Sequence, residues 1–507
     1  MNNIVILGGG SAGWLTALYI KKIFPNNNVT VVEDPSKPPI IAGESGGVAL
    51  SLIYKHLGID IADWVLKVNA LPKLGGKFVD WNGVGTEFVH GLIDRTYDRD
   101  YSTSIPSFLG ANREFINCAL ANNVPLKNIF YNSQLIESNK LPIVSISNEE
   151  FEAIDTIMWH FDSRANADYL KNIGLFNNIT LVEGMYTSSQ RAENGNITSI
   201  ILDNSKHLSG DWFFDCSGFA RLLLHKELGV ELEDFTNLFP ARSVLAWWNE
   251  DPQLINYTKI TAMQYGWSWN INLHNRSGNG YVFDPDHITV DQALEEAEIR
   301  FNTKITPVAK LNFVPSLVKE GWTNNVIAIG LSSGFLEPLE SNGLSQIILQ
   351  LELLERFWNP LSNTVIEKRM YNKCFNELMH EIINFLSLHY KGNRRDTDFW
   401  KSHAHDAFRT SDKLTEQLAG WKEGAFLEDI KNSQIYGLES YATVIDGLEL
   451  INREKLKSRL IAKRVDIFKD FNKSQSNLQE YIDHILNNSL SLEEWNHITY
   501  GISNERI

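Results

Sequence analysis

The sequence predicts a mixed α/β (α+β) fold, in which a parallel βαβ core carries inserted antiparallel strands and packs against a mostly helical C-terminal region. Three observations predict it. The chain opens as strand, glycine turn, helix and strand; short β-branched runs follow between Asn and Gly turns; and beyond residue 366 apolar residues recur at helical spacing.

The opening unit reads as a strand at Ile4–Leu7, a turn at Gly8–Gly13, a helix at Trp14–Phe24 and a second strand at Val29–Glu33. Between Val144 and Gly218 runs such as Ile197-Thr198-Ser199-Ile200-Ile201-Leu202 predict antiparallel strands. Pro240–Pro285 is aromatic and strand-like, and Asn325–Gly330 reads as a buried strand ending in a glycine-rich loop, with a helix expected over Gly343–Trp358. Ile366, Met370, Cys374, Leu378, Ile382 and Phe385, and then Leu456, Leu460, Val465 and Phe468, keep the three- and four-residue period of a helix face. Neither an internal repeat nor a low-complexity linker interrupts the chain. The expected division is therefore 1–350, with β-rich insertions at about 90–155 and 235–310, and 351–507, packed as one body.

Composition narrows the function classes. The formal net charge is −16, and no basic block interleaved with aromatics relieves it, which argues against nucleic acid and anionic membranes as partners. Three scattered cysteines, Cys118, Cys216 and Cys374, suit buried thiols in a reducing compartment better than a disulfide framework or a metal cluster. The N-terminus enters a strand with no export signal, and no apolar run approaches the roughly 18 residues of a membrane span. A cytoplasmic protein without a metal is expected, with homo-oligomerisation left open.

Gly8-Gly9-Gly10-Ser11-Ala12-Gly13 carries the G-x-G-x-x-G spacing between a predicted strand and a predicted helix. Gly8 permits the tight turn, Gly10 lets the backbone approach a pyrophosphate, and Gly13 brings the helix close to the strand, while the N–H groups about Ser11 and Ala12 face the anion. Glu33 stands 20 residues beyond Gly13, at the end of the second strand, where a carboxylate accepts hydrogen bonds from ribose hydroxyls. The core is thus a Rossmann-type dinucleotide-binding domain. FAD and NAD share the fingerprint.

Later segments separate them. Asp211-Trp212-Phe213-Phe214-Asp215-Cys216-Ser217-Gly218-Phe219, Val326–Gly334 and Phe335-Leu336-Glu337-Pro338-Leu339-Glu340-Ser341 resemble the segments that close over FAD in flavin-dependent halogenases of the tryptophan-halogenase type. Gly266-Trp267-Ser268-Trp269-Asn270-Ile271 resembles the family's W-x-W-x-I-P signature, and the stretch from Phe385 to Trp400 resembles its helical-domain segment. The likeness covers about residues 1–400. It implies FAD contacts from Asp215, Gly330 and Leu336 besides the glycine turn. It also implies reduced FAD delivered by a separate flavin reductase, and oxidation of halide by O2 to hypohalous acid that reaches a small aromatic substrate.

The resemblance also implies roles for single residues. Lys77, in Lys77-Phe78-Val79-Asp80-Trp81, matches the segment that presents the family's catalytic lysine, which holds hypohalous acid or becomes a haloamine; Lys73 ranks second. Partial desolvation would ease deprotonation of such an amine. Glu340 matches the carboxylate placed near the substrate carbon, where an anion stabilises a cationic ring and takes its proton; Glu337 is the weaker alternative. Ser341, Asn342 and Gly343 fall where the family has Ser-Thr-Gly, implying halide ligands, and Asn342 in place of Thr leaves chloride, bromide and iodide open as the preferred ion. Trp267, Trp269 and His90 are candidates for the substrate side, against blander readings as a core strand and a core histidine. Asn272 stands where the signature ends in proline. Lys77 and Glu340 are expected to project into one cavity, walled off from the isoalloxazine but joined to it by a passage. The alternatives are a flavin-dependent aromatic monooxygenase and a non-catalytic FAD-binding protein.

Overall fold

The computed structural model describes residues 2–37, 44–91, 113–145, 151–392, 394, 396–405, 410–425, 427, 435–464 and 466–501. Two compact units interleave along the chain: Met1–Ala70, Phe161–Arg242 and Asn312–His380 form the first, and Leu71–His160, Ser243–Leu311 and Glu381–Ile507 the second. This differs from the linear division at residue 350. The first unit runs on to His380, and the segment around 71–160 belongs with the C-terminal helices, because strand pairing and not chain order decides which segments share a core.

In the first unit β1 (Asn3–Leu7), α1 (Ser11–Ile23), β2 (Asn28–Glu33), α2 (Ser163–Phe176), β3 (Thr180–Glu183), β4 (Trp212–Asp215), β5 (Trp322–Thr323), β6 (Val326–Ala328) and α3 (Asn342–Phe357) build the nucleotide-type core. The sheet order is β3-β2-β1-β4-β6-β5. Its first five strands run parallel and β5 closes the edge antiparallel. Ile4, Val5, Ile6 and Leu7 are all buried, as expected for a central parallel strand covered on both faces. On one face α1 lies close to α2, and a Cβ at Gly174 would come within 2.6 Å of the Trp14 ring.

Register aligns the strand ends. Leu7 pairs with Asp215, and Asp215 with Ala328, so the turns that follow β1, β4 and β6 emerge side by side. The expected antiparallel insertion is present at Tyr186–Arg191, Ile197–Leu202 and His207–Ser209. Its first turn carries Gly195 at φ 84°.

In the second unit a seven-stranded sheet has the order Pro307–Asn312, Ser243–Asn249, Ser277–Phe283, Gly266–Asn272, Thr258–Met263, Gly75–Val79, Glu87–Gly91. The Pro240–Pro285 stretch supplies its antiparallel centre. Thr258–Met263 then pairs parallel with Gly75–Val79, which joins the Lys77 segment to the sheet. Helices at Asp412–Lys422, Leu438–Gly447, Arg453–Lys463 and Ile467–Asn488 follow. Ile467, Phe471, Leu478, Ile482 and Ile485 form the buried stripe of the last. Val465, expected on such a stripe, lies outside the described residues. Among the described residues no helix is long and apolar enough to cross a membrane.

Candidate active site

The glycine turn follows from its contacts. Gly8 takes φ 128°, and a Cβ there would stand 2.1 Å from the Cys216 carbonyl oxygen; a Cβ at Gly13 would stand 1.8 Å from the Gly8 oxygen. Both must be glycine to let β1, β4 and α1 close up. At Gly10 a Cβ would meet nothing within 4 Å, and α1 starts there without a side-chain cap. Open space in front of uncapped helix N–H groups suits a pyrophosphate.

Glu33 lies across Gly9, where a Cβ would be 2.6 Å from its Cγ. One carboxylate oxygen, Oε2, pairs with Lys171 Nζ at 2.7 Å. This leaves Oε1 for ribose hydroxyls. Ser11 is steadied from behind: Asn166 Nδ2 lies 3.5 Å from its Oγ, and Asn166 Oδ1 accepts from Tyr54 Oη at 2.5 Å and Trp64 Nε1 at 2.9 Å. Ala12 packs toward Gly330, where a Cβ would come within 3.2 Å of Ala12 Cβ and 3.1 Å of Ile347 Cγ1. Gly330 takes φ 71°. An uncapped helix start, open space at Gly10 and a carboxylate at the end of β2 together fit an FAD.

Asp215, expected at the cofactor, holds the turn that follows its own strand. Its carboxylate is fully buried and accepts from Ser217 N and Oγ at 3.1 and 2.6 Å and from Leu223 N and Leu224 N at 2.8 and 2.9 Å. Four protein donors surround this carboxylate, and it organises the turn after β4. Leu336 is buried in the loop that follows Gly330.

Ahead of α3, Glu340 and Ser341 both occupy the left-handed region, at φ 62° and 55°. Two consecutive non-glycine residues there store strain of about 1–3 kcal/mol each. The helix then starts at Asn342 with no side-chain cap. Asn342 turns its Nδ2 back to the Leu339 carbonyl at 2.8 Å, and a Cβ at Gly343 would meet nothing within 4 Å. Glu337 is buried and Glu340 half-buried.

In the second unit the two lysines differ. Lys77 Nζ pairs with Glu87 at 3.0 Å and Glu137 at 3.6 Å. Burial favours its neutral form, but the Glu87 hydrogen bond and the charges of Glu137 and Glu87 outweigh it, and its pKa is raised. That reverses the easier deprotonation expected of it. Lys73 ends the strand Leu71–Lys73, antiparallel to Met158–His160 with Leu71 opposite His160. It is only 3 % exposed. His160, diagonal to it on the same ladder face, is fully buried, with Nε2 2.8 Å from Thr258 Oγ1. Burial, and next the Lys73 charge, hold this imidazole well below its usual range.

Trp267 and Trp269 are built into the aromatic core of this unit. Trp267 lies 6.4 Å from Trp81 and 6.0 Å from Trp269, and the Trp269 ring crosses Gly280, where a Cβ would be 2.2 Å away. That is the blander reading of the motif. Asn272, in the place of the signature proline, uses both ends of its amide, donating to Asn270 Oδ1 at 2.8 Å and accepting from Gln253 N at 2.9 Å. His90 is fully buried, 5.8 Å from the Phe385 ring, which stacks on Tyr436 at 3.8 Å. Gly9, Lys171, Asn166 and His160 escape sequence reading. Gly9 was legible as a fourth glycine; the others are single polar residues in helices or strands, without a motif around them.

The first unit defines an FAD-type flavoprotein core. A sequence model for tryptophan halogenase matches residues 3–462, and the chain belongs to that family of flavin-dependent halogenases. It is 30% identical over 457 residues to the 7-chloro-L-tryptophan 6-halogenase KtzR of Kutzneria sp. (strain 744), covering 83% of this chain and 84% of that one. It is 28% identical over 494 residues to the tryptophan 7-halogenase RebH of Lentzea aerocolonigenes, covering 89% and 90%. Among solved structures, BrvH, a flavin-dependent halogenase from Brevundimonas sp. BAL3, superposes with a TM-score of 0.81 at 26% identity over 98% of this chain and 99% of that one.

Proposed function

We propose that this chain halogenates an electron-rich aromatic ring of the indole, phenol or pyrrole class through hypohalous acid, with reducing equivalents from a separate flavin reductase. Reduced FAD, which the turn Gly8–Gly13 and Glu33 would hold, would supply with O2 the oxidising power that converts halide to hypohalous acid. Ser341 and the N–H groups of Asn342 and Gly343 bind the halide at the start of α3.

For the amine we favour Lys73 over Lys77. Its near-complete burial supports the reading, against the partly exposed side chain of Lys77. The Lys73 ammonium donates to the oxygen of the hypohalous acid. As the ring carbon bonds to halogen, the O–X bond breaks and the oxygen leaves as water with a proton from the ammonium. Glu340 then accepts the ring proton, and its charge favours the cationic ring that precedes that transfer. His90 is proposed on the substrate side, and the Trp267 and Trp269 core as a wall keeping the substrate from the flavin.

The observation that carries this reading is the pair of left-handed residues, Glu340 and Ser341, before an uncapped helix. Strain of this kind persists only where surrounding structure enforces it, and it clusters at functional sites. The test supplies the full chain with a flavin reductase, NADH, FAD and bromide over a panel of indoles and phenols. Mass spectrometry should find added bromine; added oxygen in its place would make the enzyme a monooxygenase, and no product with any halide would favour a non-catalytic flavoprotein.

A further inference from the structure

Two glutamines one helical turn apart bridge α3 to the loop after β6. Gln350, fully buried, donates from Nε2 to the Ala328 carbonyl at 3.0 Å and accepts at Oε1 from Gly330 N at 2.9 Å and Ser333 Oγ at 3.3 Å. Gln346, 4 % exposed, has Nε2 within 3.0 Å of Ser333 Oγ, 3.2 Å of the Gly334 carbonyl and 3.3 Å of the Gly330 carbonyl. Residues four apart share a helix face, so both amides meet the same loop. The loop is also fixed on its other side, since Ser332 Oγ bonds the carbonyl oxygen of Asp215 and of Ile329, and Gly330 packs on Ala12 of the glycine turn.

A buried apolar seam would have served packing as well. Amide bonds instead fix a register along the helix axis, because each amide finds its partners at one position only. The α3 end that Gln346 approaches is the one that follows Glu340 and Ser341. We propose that Gln346 and Gln350 are positioning residues that clamp the flavin-side loop 328–334 to α3, so that FAD and halide bind cooperatively across the clamp. This rests on the proposed halide site at residues 341–343.

The full-length chain is titrated with FAD at several sodium bromide concentrations, and with bromide in the presence and absence of FAD. In the wild type each ligand should tighten the other by the same factor, about fivefold. Gln346→Met and Gln350→Met should still bind each ligand alone, with the mutual factor falling toward one. A lowered melting temperature with undiminished coupling would mean that the glutamines only pack, and would overturn the inference. If neither variant folds, hydrogen exchange on the wild type decides: bromide alone should slow the amides of 330–334 as well as those of 342–344. Protection at 342–344 without any at 330–334 overturns the clamp and leaves the halide reading standing; no bromide effect at 342–344 overturns both.

Discussion

Two lysines four residues apart differ in surroundings more than in sequence. Lys77 is an ion-paired residue in the middle of a strand flanked on both sides, and Lys73 is enclosed near His160, whose pKa burial and the Lys73 charge hold down. Lys73→Met is expected to lower kcat for bromination by about two orders of magnitude or more while FAD binding persists, as for loss of a group that acts only in the transition state. Lys77→Met should keep kcat within about threefold. Flavin fluorescence and steady-state assays check both; equal losses in the two variants would sink the preference for Lys73. Lys77 should show itself in stability. Its raised pKa means the folded chain holds the proton more tightly than the unfolded chain. The contribution is therefore complete below the ordinary value of 10.5 and is lost as pH rises through the higher folded value. Melting temperatures of wild type and Lys77→Met should differ at neutral pH and converge in strongly alkaline buffer.

At the scale of the element, the glycine turn separates two functions that its spacing merges. Gly13 and Gly8 are dictated by protein atoms, while Gly10 faces open space. Gly13→Ala should destabilise the fold whether or not FAD is present, since its Cβ meets backbone. Gly10→Ala should melt near the wild-type temperature without FAD but weaken FAD binding by about tenfold, roughly 1.4 kcal/mol. Thermal melts with and without FAD distinguish them, and equal destabilisation of both apo proteins would refute the distinction. Much of this element was readable beforehand: a strand, three spaced glycines and an acid 20 residues on are local features with a fixed physical use. Asp215 was not, because an Asp at a strand end reads alike whether it faces a ligand or four backbone and side-chain donors.

For the whole molecule, the interleaving of the two units has a consequence for dissection. Each unit draws on three separated segments, so a cut at residue 350 removes the first unit's 351–380 stretch and most of the helices of the second. The fragment 1–350 is expected to lack a cooperative thermal transition and to expose apolar surface, seen by calorimetry and dye binding. A cooperative melt with FAD protection would show that the C-terminal segments are dispensable to the core. For the intact chain, saturation with FAD at about 100 times its Kd should add roughly 2.7 kcal/mol of stability.

What the sequence determined by itself is whatever depends on neighbours along the chain: the βαβ opening, the nucleotide turn, the helical period after residue 366, and the family carried by motifs of contiguous residues. Only the tertiary structure decided what depends on neighbours across space. It set Lys77 against Glu87 and Glu137, closed Asp215 with four donors, buried the two tryptophans among other aromatics, and brought two glutamines of one helix onto a loop. The physical reason is that burial and hydrogen-bond partnership belong to the packed chain, and a residue's letter carries neither.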